Sequence, residues 1–156
     1  MRIISILAFA AIVAGCAKSE SPPVADTGMA MQPADAPPAA MSLTDVTGRW
    51  NIRVMGETSD STLTTYVLDA TADTSTWTFT FPNGKPIPMR IVNVGGDSIV
   101  TNAGPFASQL RRGVQVRTHI VWRMQDGKLN GRTTARYATS GADSVAQLRS
   151  EGTRAQ

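Results

Sequence analysis

The sequence predicts an all-β domain, an eight-stranded antiparallel up-and-down barrel, preceded by a signal peptide and a disordered linker. Two observations support this fold class. From Met41 onward, apolar side chains recur at every second position, as in strands that bury one face. The segments between these runs are rich in Gly, Asn and Asp, the residues typical of turns. With 42% hydrophobic and 17% charged residues, the chain can form a folded core.

Residues 1–15 have the composition of a bacterial signal peptide. They contain one Arg, followed by an apolar run from Ile3 to Val13. As a helix this run would span about 16 Å, roughly half of a bilayer core. It therefore indicates a secretion signal that is removed from the mature protein, and not a transmembrane helix.

The residues "VAGC" at positions 13–16 resemble the lipobox of bacterial lipoproteins, in which the cysteine sulfur receives a diacylglyceryl group. Cys16 is the only cysteine of the chain, so an intramolecular disulfide is excluded, and a buried or stray thiol is the alternative. The resemblance implies a lipid anchor at Cys16. Ala17, where some lipoproteins have Asp, implies sorting to the periplasmic face of the outer membrane.

The segment 16–42 predicts a tether between this anchor and the folded domain. It contains five prolines and many alanines, and its apolar residues follow no helix or strand period. Its reach would be roughly 25 Å as a coil and at most about 80 Å as polyproline II. We therefore expect a single β-barrel domain, residues 43–156, held clear of the lipid surface.

Eight runs within residues 43–156 predict strands, and none predicts a helix. In chain order they are GRWNIRVM, TLTTYVLDA, STWTFTF, KPIPMRIVNV, DSIVT, VQVRTHIVWRM, LNGRTTARYA and VAQLRSEGTRA. The alternation is clearest in the hairpin predicted around Asn83 and Gly84. Its buried face would contain Trp77, Phe79, Phe81, Ile87, Met89 and Ile91.

The predicted connections differ in length between the two ends of the barrel. Those after strands 2, 4 and 6 are short, whereas those after strands 1, 3, 5 and 7 include one long loop, residues 102–113. In an up-and-down meander these two sets lie at opposite ends. Trp50, Trp77 and Trp122 all fall at the short-loop end, so we predict that this end is closed and that the other is the mouth.

The chain resembles the calycin group, which includes lipocalins, fatty-acid-binding proteins and avidins. The resemblance rests on Gly48, Arg49 and Trp50 at the start of the first strand and on Arg154 in the last strand. It implies that Trp50 packs under Arg154 as a plug of the closed end. It also implies a ligand site inside the barrel, although the chain is shorter than lipocalins and lacks their C-terminal helix.

An eight-stranded lumen is wide enough either to fill with side chains or to hold one small ligand. Small inward residues would leave space, namely Thr65, Thr118, Gly131, Thr133 and Ala135. We predict a small apolar pocket bordered by Phe81, Met89 and Tyr137. Phe106 and Leu110, in the long loop, would form its lid. A fully packed lumen without a cavity is the alternative.

The outer face of strands 6 to 8 is predicted to be basic, with Arg117, Arg132 and Arg136 pointing outward. It is either a solvated face or a patch for an anionic envelope component, such as a lipid phosphate or an acidic glycan. A net charge of +3, without dense basic runs or stacked aromatic residues, argues against nucleic-acid binding.

No catalytic or metal-binding constellation is apparent. The single histidine, His119, is predicted to face solvent, and no Ser-His-Asp set, carboxylate pair or ligand cluster shares one face. We therefore expect neither an enzyme nor a cofactor or metal. The function predicted is an envelope lipoprotein that binds a small apolar or amphipathic ligand. The alternative is a non-enzymatic protein-interaction or inhibitor module of the envelope.

Overall fold

The computed structural model describes residues 40–75 and 77–156. The predicted signal peptide, Cys16 and the predicted linker up to residue 39 lie outside the described residues. The described part folds into a closed barrel in which each strand pairs antiparallel with the next and the last pairs with the first. The predicted fold class, an eight-stranded up-and-down barrel, is confirmed.

The strand bounds agree with most of the predicted runs. The strands are β1 Gly48–Gly56, β2 Thr62–Ala70, β3 Thr78–Thr80, β4 Ile87–Gly95, β5 Ser98–Ala107, β6 Gln115–Gln125, β7 Lys128–Tyr137 and β8 Val145–Arg154. A one-turn helix, α1, covers Leu43–Val46, and a 3-10 turn covers Ala142–Ser144. Because the ring is closed and all strand partners lie within the described residues, each of these eight strands has a neighbour on both sides and residues 40–156 carry the whole barrel.

The helix α1 and its cap were not predicted from the sequence. The backbone N–H and the hydroxyl of Ser42 both donate to Oδ2 of Asp45, at 2.7 and 2.8 Å. These bonds favour the charged carboxylate and hold the pKa of Asp45 below its usual value. Met41, which we assigned to the linker, is buried and donates its N–H to the carbonyl of Gly96 at 2.7 Å. The folded domain therefore includes residues 41 and 42.

The first half of the predicted long loop, residues 102–107, is strand. β5 continues to Ala107, and only residues 108–114 connect it to β6. The pairing of β5 with β6 shifts between Ala103 and Phe106 and then resumes with Phe106 opposite Val116. Gly104 makes this bulge possible, since its φ is 103° and a β-carbon there would lie 2.6 Å from the Val116 carbonyl oxygen. The Gly-Pro pair therefore marks a bulge and not the start of a loop.

The three tryptophans meet at one end of the barrel, as predicted. All three are fully buried. Each indole N–H also has an acceptor: the carbonyl oxygens of Val46 and Thr71 for Trp50 and Trp77, at 2.8 and 2.7 Å, and the Thr101 hydroxyl for Trp122, at 3.0 Å. Each buried indole N–H has an acceptor, so the three tryptophans fill the closed end without leaving an unpaired indole donor.

Arg154 completes the closed end, as the resemblance to calycins implied. Its guanidinium lies over the Trp50 ring at 4.4 Å and donates to the carbonyl oxygens of Asp45 and Thr47, both at 2.8 Å. Gly48 is required by its φ of 130°, and a β-carbon there would lie 2.9 Å from Nη1 of Arg154. The positive φ, together with the guanidinium beside it, therefore explains the glycine before Arg49 and Trp50.

Candidate ligand-binding site

The open end of the barrel contains a cavity of about 60 Å³. The five residues predicted to bind ligand all line it, namely Phe81, Met89, Phe106, Leu110 and Tyr137. One water needs about 10–15 Å³ of such space, so the cavity holds a few water-sized groups. The lumen is thus neither fully packed nor wide enough to enclose a large ligand completely.

Aromatic rings form one wall of this cavity. Phe79, Phe81 and Phe106 pack edge to face or tilted, with ring centroids 5.2 to 6.1 Å apart. The position predicted for Phe106 is wrong, because this residue lies on β5 and packs against the core instead of standing in a loop. Since aromatic pairs add about 0.5–1.5 kcal/mol each beyond area burial, Phe106 stabilises the barrel.

Leu110 does lie in the loop over the mouth, residues 108–114. The Ser108 hydroxyl oxygen accepts hydrogen bonds from the backbone N–H groups of Leu110 and Arg111, at 3.1 and 3.0 Å. The Arg111 guanidinium lies over the Tyr137 ring at 4.0 Å and donates to the carbonyl of Asp143. These contacts hold Leu110 at the cavity. No sequence pattern indicates the role of Arg111, because this role depends on the neighbouring β7–β8 connection.

The inward face of β2 differs from the prediction. Thr65 is exposed and points outward, whereas Thr64 and Tyr66 line the cavity. The alternation of Tyr66, Leu68 and Ala70, all buried, fixes this face. Side chains of a strand alternate between its two faces, so the prediction that Thr65 points inward is wrong by one residue.

Gly131 was also predicted to leave space, but that space is filled. A β-carbon at Gly131 would lie 2.7 Å from the Trp122 ring, so the glycine admits the indole and not a ligand. The other three small inward residues line the cavity as predicted: Thr118, Thr133 and Ala135. The space therefore begins above the tryptophans and extends toward the mouth.

Two hydroxyl groups in the cavity wall were missed by the sequence analysis, those of Tyr66 and Ser150. Ser150 is buried, and its Oγ has no hydrogen-bond partner among the described residues. Burial raises the pKa of Tyr66 above its usual value, and an interaction with the Ser150 hydroxyl, which falls short of normal hydrogen-bond geometry, lowers it. The strand parity would have revealed Ser150, since it alternates in phase with Leu148 and Gly152 on β8.

The pairing of β2 with β3 ends just before Tyr66. β3 pairs with only Val67, Leu68 and Asp69 of β2, so residues 62–66 pair only with β1 on the other side. Tyr66 and Phe81 line both the cavity and a depression on the outer surface next to it. Their rings, with centroids 5.7 Å apart, therefore separate the cavity from the outside at this point.

The basic residues of the outer face fall into two groups. Arg117 and Arg136 are exposed and directly opposite each other on β6 and β7. Together with Arg90 they line an outer groove of about 860 Å³. None of the three forms a salt bridge with a carboxylate of the described residues. Arg132 lies four residues from Arg136 on β7, roughly 13 Å away, and does not line this groove.

His119 is exposed, as predicted, and its Nδ1 lies 2.8 Å from Oδ1 of Asn102. Within residues 40–75 and 77–156, no group of three or more His, Cys, Asp or Glu side chains is placed to hold a metal ion. In the same part of the chain, no helix has the length and apolar character needed to cross a membrane.

No protein-family model, curated protein sequence or solved structure matches this chain. The geometry and chemistry of the barrel therefore carry the functional proposal.

Proposed function

We propose that this protein is a lipid-anchored envelope protein whose barrel binds a small apolar or amphipathic molecule at its open end. The observation that carries the proposal is the cavity of about 60 Å³, with aromatic and aliphatic walls and no charged residue in its lining. Ligand sites are usually concave and mostly apolar, with a few polar groups. The closed end offers no such space, since three tryptophans fill it.

The size of the cavity limits how much of a ligand it takes. A few water-sized groups fit inside, so one end of the molecule would enter while the rest lies at the mouth beside Leu110. Each buried methylene contributes about 0.8 kcal/mol, which corresponds to about a fourfold gain in affinity. Affinity should therefore rise steeply over the first members of an alkyl series and then level off.

The test is displacement of the apolar dye N-phenyl-1-naphthylamine from residues 40–156 by n-alkyl alcohols of increasing length. An Ala135→Phe variant should fill the cavity and lose dye binding, because Ala135 lines it and is 2% exposed. Val92→Ala, at a residue that is 54% exposed, is the matched control. Equal dye binding in Ala135→Phe and wild type would place the dye outside the cavity and contradict the proposal.

The envelope anchor at Cys16 is part of the same proposal. It is supported by the "VAGC" motif at positions 13–16 and by the apolar run that precedes it. A lipid at Cys16 and a proline-rich tether of about 25 residues would hold the barrel near the membrane with its mouth accessible. A molecule delivered from or to the lipid surface would then meet the barrel at high local concentration.

A second candidate function is contact with an anionic envelope component through the groove of Arg90, Arg117 and Arg136. Like charges directly opposite in a sheet are destabilising, and Arg117 faces Arg136 without a carboxylate partner among the described residues. A bound anion would offset this repulsion. Without an anion, the Arg117–Arg136 pair would not stabilise the fold.

Binding to vesicles that contain an anionic phospholipid tests this second candidate. Binding should weaken steeply with salt, since the Debye length falls from about 30 Å at 0.01 M to about 8 Å at 0.15 M. An Arg90, Arg117, Arg136 triple-Ala variant should bind more weakly than a triple-Ala variant of Arg49, Arg53 and Lys128, which has the same net charge. Equal binding by the two variants would mean that the groove does not bind the anionic lipid and is only a solvated face.

A further inference from the structure

We propose that the inner end of the cavity receives a neutral polar group of the ligand, a hydroxyl or a carbonyl, and that Ser150 is its hydrogen-bonding partner. This inference rests on the proposed function, because it specifies the chemistry of a ligand in the same cavity. Its ligand class is a molecule with an apolar body and one uncharged polar end that enters the barrel first.

The state of the Ser150 hydroxyl is the first observation. Ser150 is 4% exposed, lines the cavity, and its Oγ makes no hydrogen bond within the described residues. A buried polar group without a partner is unfavourable, and such groups are rare in folded proteins. The Tyr66 hydroxyl interacts with Ser150 Oγ without reaching normal hydrogen-bond geometry, so a polar group that arrives from the cavity would supply the missing partner.

The depth of Ser150 is the second observation. β8 runs from the mouth to the closed end, and Ser150 lies nearer the closed end than Leu148, the other residue of β8 in the lining. Ser150 is opposite Val54 on β1, and Tyr66 is opposite the adjacent inward residue, Ile52. The two hydroxyl-bearing side chains thus flank the same part of β1 at the inner end.

The lack of charge is the third observation. No Asp, Glu, Lys, Arg or His lines the cavity. Burial keeps Tyr66 neutral, since it raises the pKa of the phenol above its usual value. A carboxylate that entered first would be buried without a counter-charge, which is strongly unfavourable. An anionic end would instead remain at the mouth, where the Arg111 guanidinium lies over Tyr137.

The test compares three molecules that share a propylphenyl body: 4-propylphenol, 4-propyltoluene and 4-propylbenzoate. Each displaces N-phenyl-1-naphthylamine from residues 40–156 of the wild type and of Ser150→Ala. For each protein we take the ratio of the 4-propyltoluene and 4-propylphenol concentrations that displace half of the dye. Comparing this ratio between the two proteins isolates the hydrogen bond between Ser150 and the phenol, because differences in ligand hydration cancel. We expect Ser150→Ala to change this ratio by about 2- to 10-fold against the phenol. The benzoate should be the weakest competitor for the wild type.

Thr153→Ala, an exposed position on the opposite face of β8, should leave the ratio unchanged. The inference is overturned if the dye binds, all three competitors displace it, and Ser150→Ala does not alter the ratio of the toluene and phenol midpoints. Ser150 would then contact no ligand and at most hold a water, while the proposed function would stand. If the wild type binds neither dye nor competitor, the proposed function itself fails. A folded Ser150→Ala protein that loses the preference for the phenol supports the inference.

Discussion

Removing the guanidinium of Arg154 should destabilise the barrel although this residue is exposed. Arg154→Ala removes two hydrogen bonds, to the carbonyl oxygens of Asp45 and Thr47, and the contact with the Trp50 ring. A hydrogen bond from a charged donor contributes about 1.5–3 kcal/mol, and an exposed cation–π pair about 0.5–1 kcal/mol. Because solvent screens an exposed group, we take the lower values as the upper limit and expect a loss of about 2–3 kcal/mol.

Urea denaturation of residues 40–156, followed by tryptophan fluorescence and circular dichroism, measures this loss. The informative design is a double-mutant cycle with Trp50→Leu, which removes the ring under the guanidinium together with the indole N–H bond to the Val46 carbonyl. Trp50→Ala should cost more, about 3–5 kcal/mol, and risks unfolding the domain. We expect the effects of Arg154→Ala and Trp50→Leu to be non-additive by about 0.5–1 kcal/mol.

Arg132→Ala is the matched control, because Arg132 is exposed and forms no salt bridge among the described residues. It should change the free energy of unfolding by less than about 0.5 kcal/mol. Additive losses at Arg154 and Trp50 would mean that the two side chains do not stabilise each other. A loss at Arg154 no larger than that at Arg132 would refute the role of the guanidinium as a cap for α1.

Three further outcomes are expected. Phe106→Ala should cost about 2–3 kcal/mol in a urea series, because its ring is part of the aromatic wall, whereas Leu110→Ala should cost less than about 1 kcal/mol; similar losses at both would place Leu110 in the core. The stability lost in Asp45→Asn should be largest at neutral pH and should shrink below pH 4, since the lowered pKa of Asp45 stabilises the fold above the ordinary Asp range and this contribution disappears as the carboxylate is protonated; a pH-independent difference would contradict this role. Cys16→Ser should abolish acylation and leave the precursor unprocessed, and a normally matured, membrane-bound mutant would refute the anchor.

The strands could be predicted because their buried face repeats with a period of two. This period places Trp77, Phe79 and Phe81 on one face, and the structure buries all three. The period fails where the backbone is irregular: the bulge at Gly104 keeps Phe106 in β5, although Gly-Pro is more typical of a loop. α1 escaped prediction because it is one turn long and is held by Ser42, Asp45 and a tertiary contact from Arg154.

The candidate site was predictable in its residue types and less so in its chemistry. The five predicted ligand residues share one cavity because large apolar side chains near the mouth of a small barrel have few other places to pack. The inward phase of β2 was ambiguous in "TLTTY", where Thr64 and Thr65 are equivalent as residue types. The unpartnered hydroxyl of Ser150 depends on its surroundings in three dimensions, which no local pattern encodes.

Native mass spectrometry of the mature protein after gentle extraction tests the central claim most directly. The account predicts a non-covalent adduct of one small molecule, lost on denaturation while any lipid on Cys16 remains attached. The same adduct should be absent from the Ala135→Phe variant, in which the cavity is filled. Wild-type protein that carries no small molecule, and instead co-purifies with a stoichiometric protein partner, would contradict a ligand-binding barrel and favour an interaction module.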